Sequence, residues 1–327
     1  MYSQRIVVTG GAGYIGSHFC KYAKSKGHQI FTIDNLSTGY KEFVKWGDFF
    51  LLDVRESNKL YDLISKIKPN YLVHFAASAY VQESFINPLD YISNNIGGME
   101  SVTRICTELS IPIIFSSSCS VYGEVKSLPV NEDSELIPLS PYGETKLLCE
   151  KILKWCEKSS NLKYVSLRYF NAAGADFDKE IGENHNPETH LIPLVIKSIN
   201  KGIKLKIFGN NYNTKDGTAV RDYIHVNDLA RAHLNAIEYL NSNGKSDFFN
   251  LGSGSGTSIM NIINTLESIT GLKIKKEFCP KRIGDPSKLF ADIKKAKNIL
   301  NWEPKYSKIE TILQSAWDWH KISINNY

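Results

Sequence analysis

Arg5-Ile6-Val7-Val8-Thr9-Gly10-Gly11-Ala12-Gly13-Tyr14-Ile15-Gly16 is the stretch that decides the fold. Residues 5–9 form a short apolar run rich in β-branched side chains and read as a buried strand. The glycines follow at once, and residues 14–26 read as a helix that ends near Gly27. A strand, a glycine loop and a helix in that order suit a diphosphate. Glycines let the anion approach the backbone, and the helix start offers N–H groups without partners. The spacing is G-x-x-G-x-x-G over Gly10, Gly13 and Gly16. A glycine cluster alone is also compatible with a simple turn.

Outward from this stretch the same alternation repeats. Residues 28–33 read as a second strand closed by Asp34, and residues 48–52 as a third with Asp53 at its end. A helix over 56–68 stops at Pro69. Residues 71–75 make a fourth strand, leading into Ala76-Ala77-Ser78, small residues that let a ligand lie close to the backbone. A helix over 91–109 carries Asn94 and Asn95. Residues 112–115 form a fifth strand running into Ser116-Ser117-Ser118, and 163–167 a sixth. Strands alternating with helices over short connections predict an α/β fold, a Rossmann-type doubly wound parallel sheet. Its ligands lie beyond the carboxyl ends of the strands. Asp34 stands eighteen residues after Gly16, where a carboxylate accepts hydrogen bonds from an adenosine ribose. It would repel a 2′-phosphate, so the pattern favours NAD over NADP. A turn-capping aspartate is the alternative. His74 reads as a packed strand residue, not a ligand.

Ser140-Pro141-Tyr142-Gly143-Glu144-Thr145-Lys146 opens a further helix. Ser140 suits the N-cap and Pro141 the first helical position. Tyr142 and Lys146 are four apart, so they share one helical face. A free phenol has a pKa of about 10, too high for a base at neutral pH. A neighbouring ammonium favours the phenolate, so the pair makes sense as a tyrosine base tuned by lysine. A lone Y-x-x-x-K spacing also arises by chance; the surrounding pattern is what gives it weight here.

Composition narrows the class. The chain has 327 residues, 42% apolar and 22% charged, ordinary for a soluble globular protein. A net charge of +5 with no long basic run gives no support to nucleic-acid binding. The six cysteines form no C-x-x-C pair, which favours reduced thiols in the cytoplasm over a disulfide framework or zinc site, and no metal centre is expected. No apolar run of membrane-spanning length and no signal-peptide pattern are read.

After Asn171 the pattern changes. Residues 172–190 are polar and loop-like, 190–200 read as a helix, 204–208 as a strand, and 209–217 as a turn-rich loop. Residues 222–226 return a strand, and helices follow over 226–240, 258–270 and 292–300. The expected division is a cofactor domain over 1–172, completed by a returning segment near 219–240, and a smaller C-terminal α/β substrate lobe over 173–327. Arg221 and Arg282 are candidates to grip a diphosphate, since guanidinium forks match phosphate oxygens, or are surface arginines. Trp302, Trp317 and Trp319 read as packing residues.

Together, Thr9 to Gly16, Ser116-Ser117-Ser118 and Tyr142-x-x-x-Lys146 resemble the extended short-chain dehydrogenase/reductases. Asp34-Asn35-Leu36-Ser37, His74-Phe75-Ala76-Ala77, Asn94-Asn95, Val121-Tyr122-Gly123, Arg168-Tyr169-Phe170-Asn171, Asp216-Gly217-Thr218, Val220-Arg221-Asp222-Tyr223-Ile224-His225-Val226 and Asn250-Leu251-Gly252 narrow the resemblance to the UDP-glucose 4-epimerase family. It covers almost the whole chain. Each motif is weak singly; their order and spacing are specific. The resemblance implies a diphosphate loop at Gly10, Gly13, Tyr14, Ile15 and Gly16, with adenosine contacts from Asp34, Asn35, Asp53 and Val54. It implies further cofactor contacts from Phe75, Ala76, Ala77, Asn94 and Tyr169, and a catalytic trio of Ser118, Tyr142 and Lys146. For the sugar nucleotide it implies Asn171, His190, Leu191, Phe208, Arg221, Arg282, Asp285 and Leu289.

Three positions depart from the family pattern. Ala79 stands where many members have lysine, Thr189-His190-Leu191 replaces Asn-Asn-Leu, and Leu289 stands where some have tyrosine. The last would widen the pocket for an N-acetyl group. The resemblance further implies tightly bound NAD, a UDP-sugar substrate, C4 inversion through a 4-keto sugar, and a homodimer built on helices near 91–109 and 146–158. Related dehydratases carry Asp-Glu before Val-Tyr-Gly, whereas this chain has Cys119-Ser120, which argues against elimination. A non-catalytic NAD sensor on the same fold would not need the tyrosine and lysine. Tyr142→Phe is expected to abolish turnover while leaving a folded, NAD-containing protein; near-normal activity in that variant would remove Tyr142 as the base.

Overall fold

The computed structural model describes residues 3–282 and 285–323. Six of the expected strands form as read: β1 (Arg5–Thr9), β2 (Gln29–Asp34), β3 (Asp48–Leu51), β4 (Tyr71–His74), β5 (Ile113–Ser118) and β6 (Tyr164–Tyr169). A seventh, β7 (Asp247–Leu251), joins the same sheet. The spatial order is β7-β6-β5-β4-β1-β2-β3, and every pairing in it is parallel. The order reverses between β4 and β1. The crevice of a doubly wound sheet opens at that point, beyond the strands' carboxyl ends.

Side chains of β1 alternate between the two faces as a strand requires. Ile6 and Val8 enter one core with α1 (Tyr14–Ser25) and α5 (Val226–Asn241), through Phe19, Ala23, Leu229 and Leu234. Val7 enters the other with Ile33, Leu72 and residues of α2 (Ser57–Ile67), α3 (Gly97–Glu108) and α4 (Pro141–Ser160), such as Leu60, Met99 and Leu153. Burial on both faces explains why these strands read as continuous apolar runs. Each fully buried aliphatic side chain contributes about 1.5–3 kcal/mol.

The sequence does not reveal β7. Its polar residues are satisfied only in the fold. Lys295 Nζ donates to Asp247 at 2.5 Å, and the Tyr122 hydroxyl donates to Asn250 Oδ1 at 2.7 Å. The expected helix over 91–109 is also more complex. A short helix, Pro88–Tyr91, runs through a π-type turn, Ile92–Ile96, into α3. Such turns cluster at functional sites, and this one carries Asn94 and Asn95.

The second lobe has its own core, built from Leu191–Lys201, Ile259–Thr270 and Ile309–Ser323 through Val195, Ile263 and Leu313. Short parallel pairs link it: Asn171–Ala173 with Tyr223–His225, and Leu205–Phe208 with Lys276–Cys279. Asp228, fully buried on α5, accepts from the Lys305 and Tyr306 nitrogens at 2.9 and 2.7 Å and so pins the C-terminal segment. Trp302 is buried in the first core, its Nε1 donating to the Asp228 carbonyl at 2.9 Å.

One buried ion pair ties α4 to the sheet. Arg168 donates from Nε and Nη2 to the two oxygens of Glu150 at 2.8 and 2.6 Å, and both side chains are at most 3% exposed. The guanidinium lies 4.7 Å from the Phe248 ring centroid, and its Nη1 donates to the Tyr122 oxygen at 3.0 Å. Ser117 adds a hydroxyl to Glu150 at 2.6 Å. Removing one partner strands the other charge in a dry interior. Glu150→Ala should therefore lower stability by about 3–5 kcal/mol, read as a fall in the urea midpoint. The double replacement Glu150→Leu with Arg168→Met should recover most of that loss, and a double variant no better than Glu150→Ala would show that the charge pair is not the origin.

Candidate active site

Gly10 has φ +74°, and a Cβ there would stand 2.5 Å from the Ala76 nitrogen. At Gly16 a Cβ would meet the Gly10 carbonyl oxygen at 2.2 Å. The loop therefore folds against the end of β4, where Phe75 and Ala76 both donate to the Thr9 carbonyl at 2.9 and 3.1 Å. Gly13 caps α1 with no side-chain bond, so the first N–H groups of Tyr14 and Ile15 point from a loop that only backbone lines. Tyr14 donates its hydroxyl to the Gly174 carbonyl at 2.6 Å.

Asp34 closes β2. Its two oxygens accept from Ala12 N at 3.0 Å and Leu36 N at 2.8 Å, and burial raises its pKa. Asn35 donates to Asp53 at 2.9 Å, and Arg55 also pairs with Asp53, holding that carboxyl well below its usual range. Val54 is buried against Gly98 of α3. A glycine cradle, an uncapped helix start and a carboxylate at the end of β2 lie in one groove, and this donor set fits a dinucleotide.

Ala77 follows in the same loop, which is held from the far side. Asn95 Oδ1 accepts from Ser78 N at 2.8 Å, and its amide donates to the Ser78 carbonyl at 3.1 Å and to Thr145 Oγ1 at 3.0 Å. Asn94 donates to Ser78 Oγ at 3.1 Å. The π-type turn thus clamps the β4 loop to α4, a role for Asn95 that spacing alone does not reveal. His74 is packed as expected: Thr9 Oγ1 lies 2.7 Å from its Nδ1, Phe115 stacks on it, and burial lowers its pKa to about 3.

Ser118, Tyr142 and Lys146 meet at the carboxyl edge of β5. Ser140 caps α4 by accepting from Gly143 N at 3.1 Å, and Pro141 fills the first turn as expected. Lys146 Nζ donates to the Ser116 carbonyl at 2.7 Å, and Ser118 stands near enough to Tyr142 to pull the phenol pKa down. Tyr169 shares a hydrogen bond with Ser116 Oγ just beneath. Burial pushes the Tyr142 phenol up to about 12, against the Ser118 hydrogen bond that pulls it down. Burial likewise brings the Lys146 ammonium down to about 8. At 5.8 Å from the tyrosine ring centroid, itself desolvated and bound to Ser116, the ammonium does not by itself offset the burial of the phenol.

The substrate candidates gather on the other lobe. The Arg282 guanidinium lies 4.0 Å from the Phe208 ring centroid, and Arg221 bonds Asp285. Asn171 Nδ2 donates to the Asp222 carbonyl at 2.9 Å. Asp222, buried in the motif beside Arg221, accepts from Ser253 N at 2.7 Å and Ala291 N at 3.1 Å. Burial lifts its pKa to about 6, and it acts as a bracket for these strands. Leu289 pairs with Arg221 in register and packs in one small cluster with Cys119 and Tyr122, next to Ser118. Leu191 opens the helix Leu191–Lys201. His190 lies apart from Arg282. It joins Glu183, His185 and Glu188, and those carboxylates outweigh its burial and raise its pKa to about 10. Ala79 lies in the clamped loop near Tyr80.

Comparison with known proteins agrees with this geometry. Residues 6–252 match the NAD dependent epimerase/dehydratase family. A UDP-glucose 4-epimerase of Halalkalibacterium halodurans is 43% identical over 98% of this chain and 97% of its own. The structure of a UDP-glucose 4-epimerase from Brucella ovis in complex with NAD superposes with a TM-score of 0.94 at 43% identity, covering 97% of this chain and 98% of the other. A UDP-Glc/GlcNAc 4-epimerase from Campylobacter jejuni gives 0.85 at 39% identity, covering 98% and 100%. The chain belongs to the NAD-dependent epimerase/dehydratase family and, within it, to the UDP-glucose 4-epimerases.

Proposed function

We propose that this protein inverts C4 of UDP-hexoses, interconverting UDP-glucose and UDP-galactose through a transient 4-keto sugar. The observation that carries the reading is the meeting of Ser118, Tyr142 and Lys146 at the β5 edge, with Leu289, which pairs with Arg221, packed in one cluster with Cys119. NAD, when bound, supplies the hydride acceptor and donor and a positively charged ring. Gly10, Gly13 and Gly16 receive its diphosphate, and Asp34 its ribose. Tyr142 takes the proton of the 4-hydroxyl while Ser118 bonds the same oxygen. Loss of that proton prepares C4 to give up its hydrogen as hydride, which bound NAD would accept to leave the ketone. The keto sugar would then turn about its diphosphate while Arg221, Arg282 and Phe208 hold the nucleotide end. Return of the hydride to the opposite face would let Tyr142 give the proton back. Lys146 would favour the phenolate, and the positive ring of bound NAD would add to that effect.

Leu289 supports a wider substrate range. It is shorter than tyrosine and packs in one cluster with Cys119. Discrimination at such a wall amounts to about 1–3 kcal/mol. We infer dual use of UDP-hexoses and their N-acetyl counterparts. Incubation with UDP-galactose or UDP-N-acetylgalactosamine, with no added cofactor, followed by proton NMR, should give both 4-epimers. Conversion of UDP-galactose alone closes the pocket but keeps the mechanism. Conversion of neither, even with NAD supplied, overturns the epimerase reading and returns the dehydratase one.

The chain divides at residue 172 in this reading, with 219–240 returning to the cofactor domain, because α5 packs in one core with α1. A cytoplasmic location is supported by six free cysteines and checked by cell fractionation. No helix among the described residues is long and apolar enough to cross a membrane. Homodimerisation is supported by Phe85, Ile86, Leu89, Ile92 and Trp155, exposed apolar residues on helices packed along α4. Ile86 is 77% and Leu89 76% exposed. Leu89→Glu is expected to shift the sedimenting species from dimer to monomer, and a wild-type monomer at micromolar concentration would end this reading.

A further inference from the structure

Glu183, His185, Glu188 and His190 bring one ligating atom each to within 4.8 Å of one another. They lie in the segment that leads into Leu191–Lys201, walled by the rings of Tyr14 and Tyr80. His185 Nδ1 and His190 Nδ1 face each other at 3.3 Å. His185 Nδ1 is 3.4 Å from a Glu183 oxygen and 3.8 Å from a Glu188 oxygen. His190 Nδ1 is 2.8 Å from Glu183 and 3.5 Å from Glu188. A tetrahedral zinc site with bonds of about 2.0–2.1 Å has its donor atoms about 3.3–3.4 Å apart. The observed separations scatter around that edge length.

Charge points the same way. The Glu183 side chain is 6% and the Glu188 side chain 9% exposed. Carboxylates taken out of water need a counter-charge, a metal or a proton-bearing partner. Among the described residues their charge partners are His185 and His190, whose protons a divalent ion would displace. The second acidic group makes the contrast. Asp176, Asp178 and Glu180 converge on Lys21 Nζ at 2.6–2.7 Å, so a lysine ammonium already stands at the point where an ion would sit.

We propose that Glu183, His185, Glu188 and His190 form a structural site for a divalent transition-metal ion of the zinc class, with two imidazole nitrogens and two carboxylate oxygens as ligands. This reverses the expectation, drawn from the cysteines, that the chain holds no metal. The donor set suits zinc better than calcium or magnesium, which take oxygen ligands alone. Two carboxylates and two neutral imidazoles leave a zinc complex with no net charge, suited to a partly buried place. Trp319 Nε1 donates to the Glu183 carbonyl at 3.3 Å, so the ion would fasten this segment to the C-terminal helix and to the Tyr14 end of α1. No catalytic step runs through it, although His190 is also one of the contacts that the family resemblance implies for the sugar nucleotide.

The test uses full-length protein with its bound nucleotide, treated with EDTA, freed of chelator, and titrated with zinc chloride and then cobalt(II) chloride. Wild type should take up about one zinc per chain at micromolar concentration, and its cobalt form should show the intense visible bands of a tetrahedral ion. His185→Gln and Glu188→Gln should each weaken zinc binding by about a hundredfold or more. Asp178→Asn, in the lysine-centred group, should bind as wild type. Circular dichroism and nucleotide content are followed in parallel. If one variant fails to fold, the other and the wild-type cobalt spectrum decide. No uptake by wild type, an octahedral cobalt spectrum, or equal uptake by both folded variants would overturn the proposal.

Discussion

The constraint on which the cofactor groove depends is the approach of Gly10 to the end of β4. A side chain at Gly10 would overlap the Ala76 backbone, and one at Gly16 would overlap the Gly10 carbonyl. Two N–H groups, from Phe75 and Ala76, converge on the Thr9 carbonyl at the same place. The crevice between β1 and β4 is therefore defined by backbone against backbone. That is the geometry a diphosphate needs, because its oxygens are received by N–H groups rather than by side chains. The reversal of strand order places this crevice, and the β5 edge beside it carries Ser118.

Helix α4 is the second organising element. Tyr142, Lys146 and Glu150 follow one another at four-residue steps and so share a face. The first two reach the β5 edge, and the third anchors the helix through Arg168 in the sheet. The Glu150 pair thus fixes the rotation of the helix about its axis, and with it the aim of the phenol. Burial has a cost for the chemistry. It drives both Tyr142 and Lys146 towards their neutral forms, so an added positive charge at the crevice has a large effect on the phenol.

Part of this was legible in the chain. The β1 run, the glycine spacing and Asp34 were readable because each is local: a buried parallel strand is apolar throughout, and a tight loop demands glycine. The cap at Ser140 and the Tyr142–Lys146 face were readable for the same reason. The clamp made by Asn95 was not, since a π-type turn aims its side chains differently from an α-helix. Nor was β7, whose Asp247 and Asn250 look unsuited to a sheet until Lys295 and Tyr122 come to meet them.

By itself, then, the sequence determined the parallel α/β class, the phosphate loop, the carboxylate at the end of β2 and the residue types of the acid–base pair. These depend on spacings of a few residues and on backbone geometry that glycine, proline and helical periodicity dictate. The tertiary structure alone decided which distant side chains share a charge. Arg168 meets Glu150, Arg282 covers Phe208, Arg221 meets Asp285, and two glutamates close on two histidines. It also decided that Lys146 and Tyr142 are desolvated together. The physical reason is that desolvation and charge pairing are properties of the packed interior. They depend on what lies across a cavity, and a one-dimensional pattern carries no record of that neighbour.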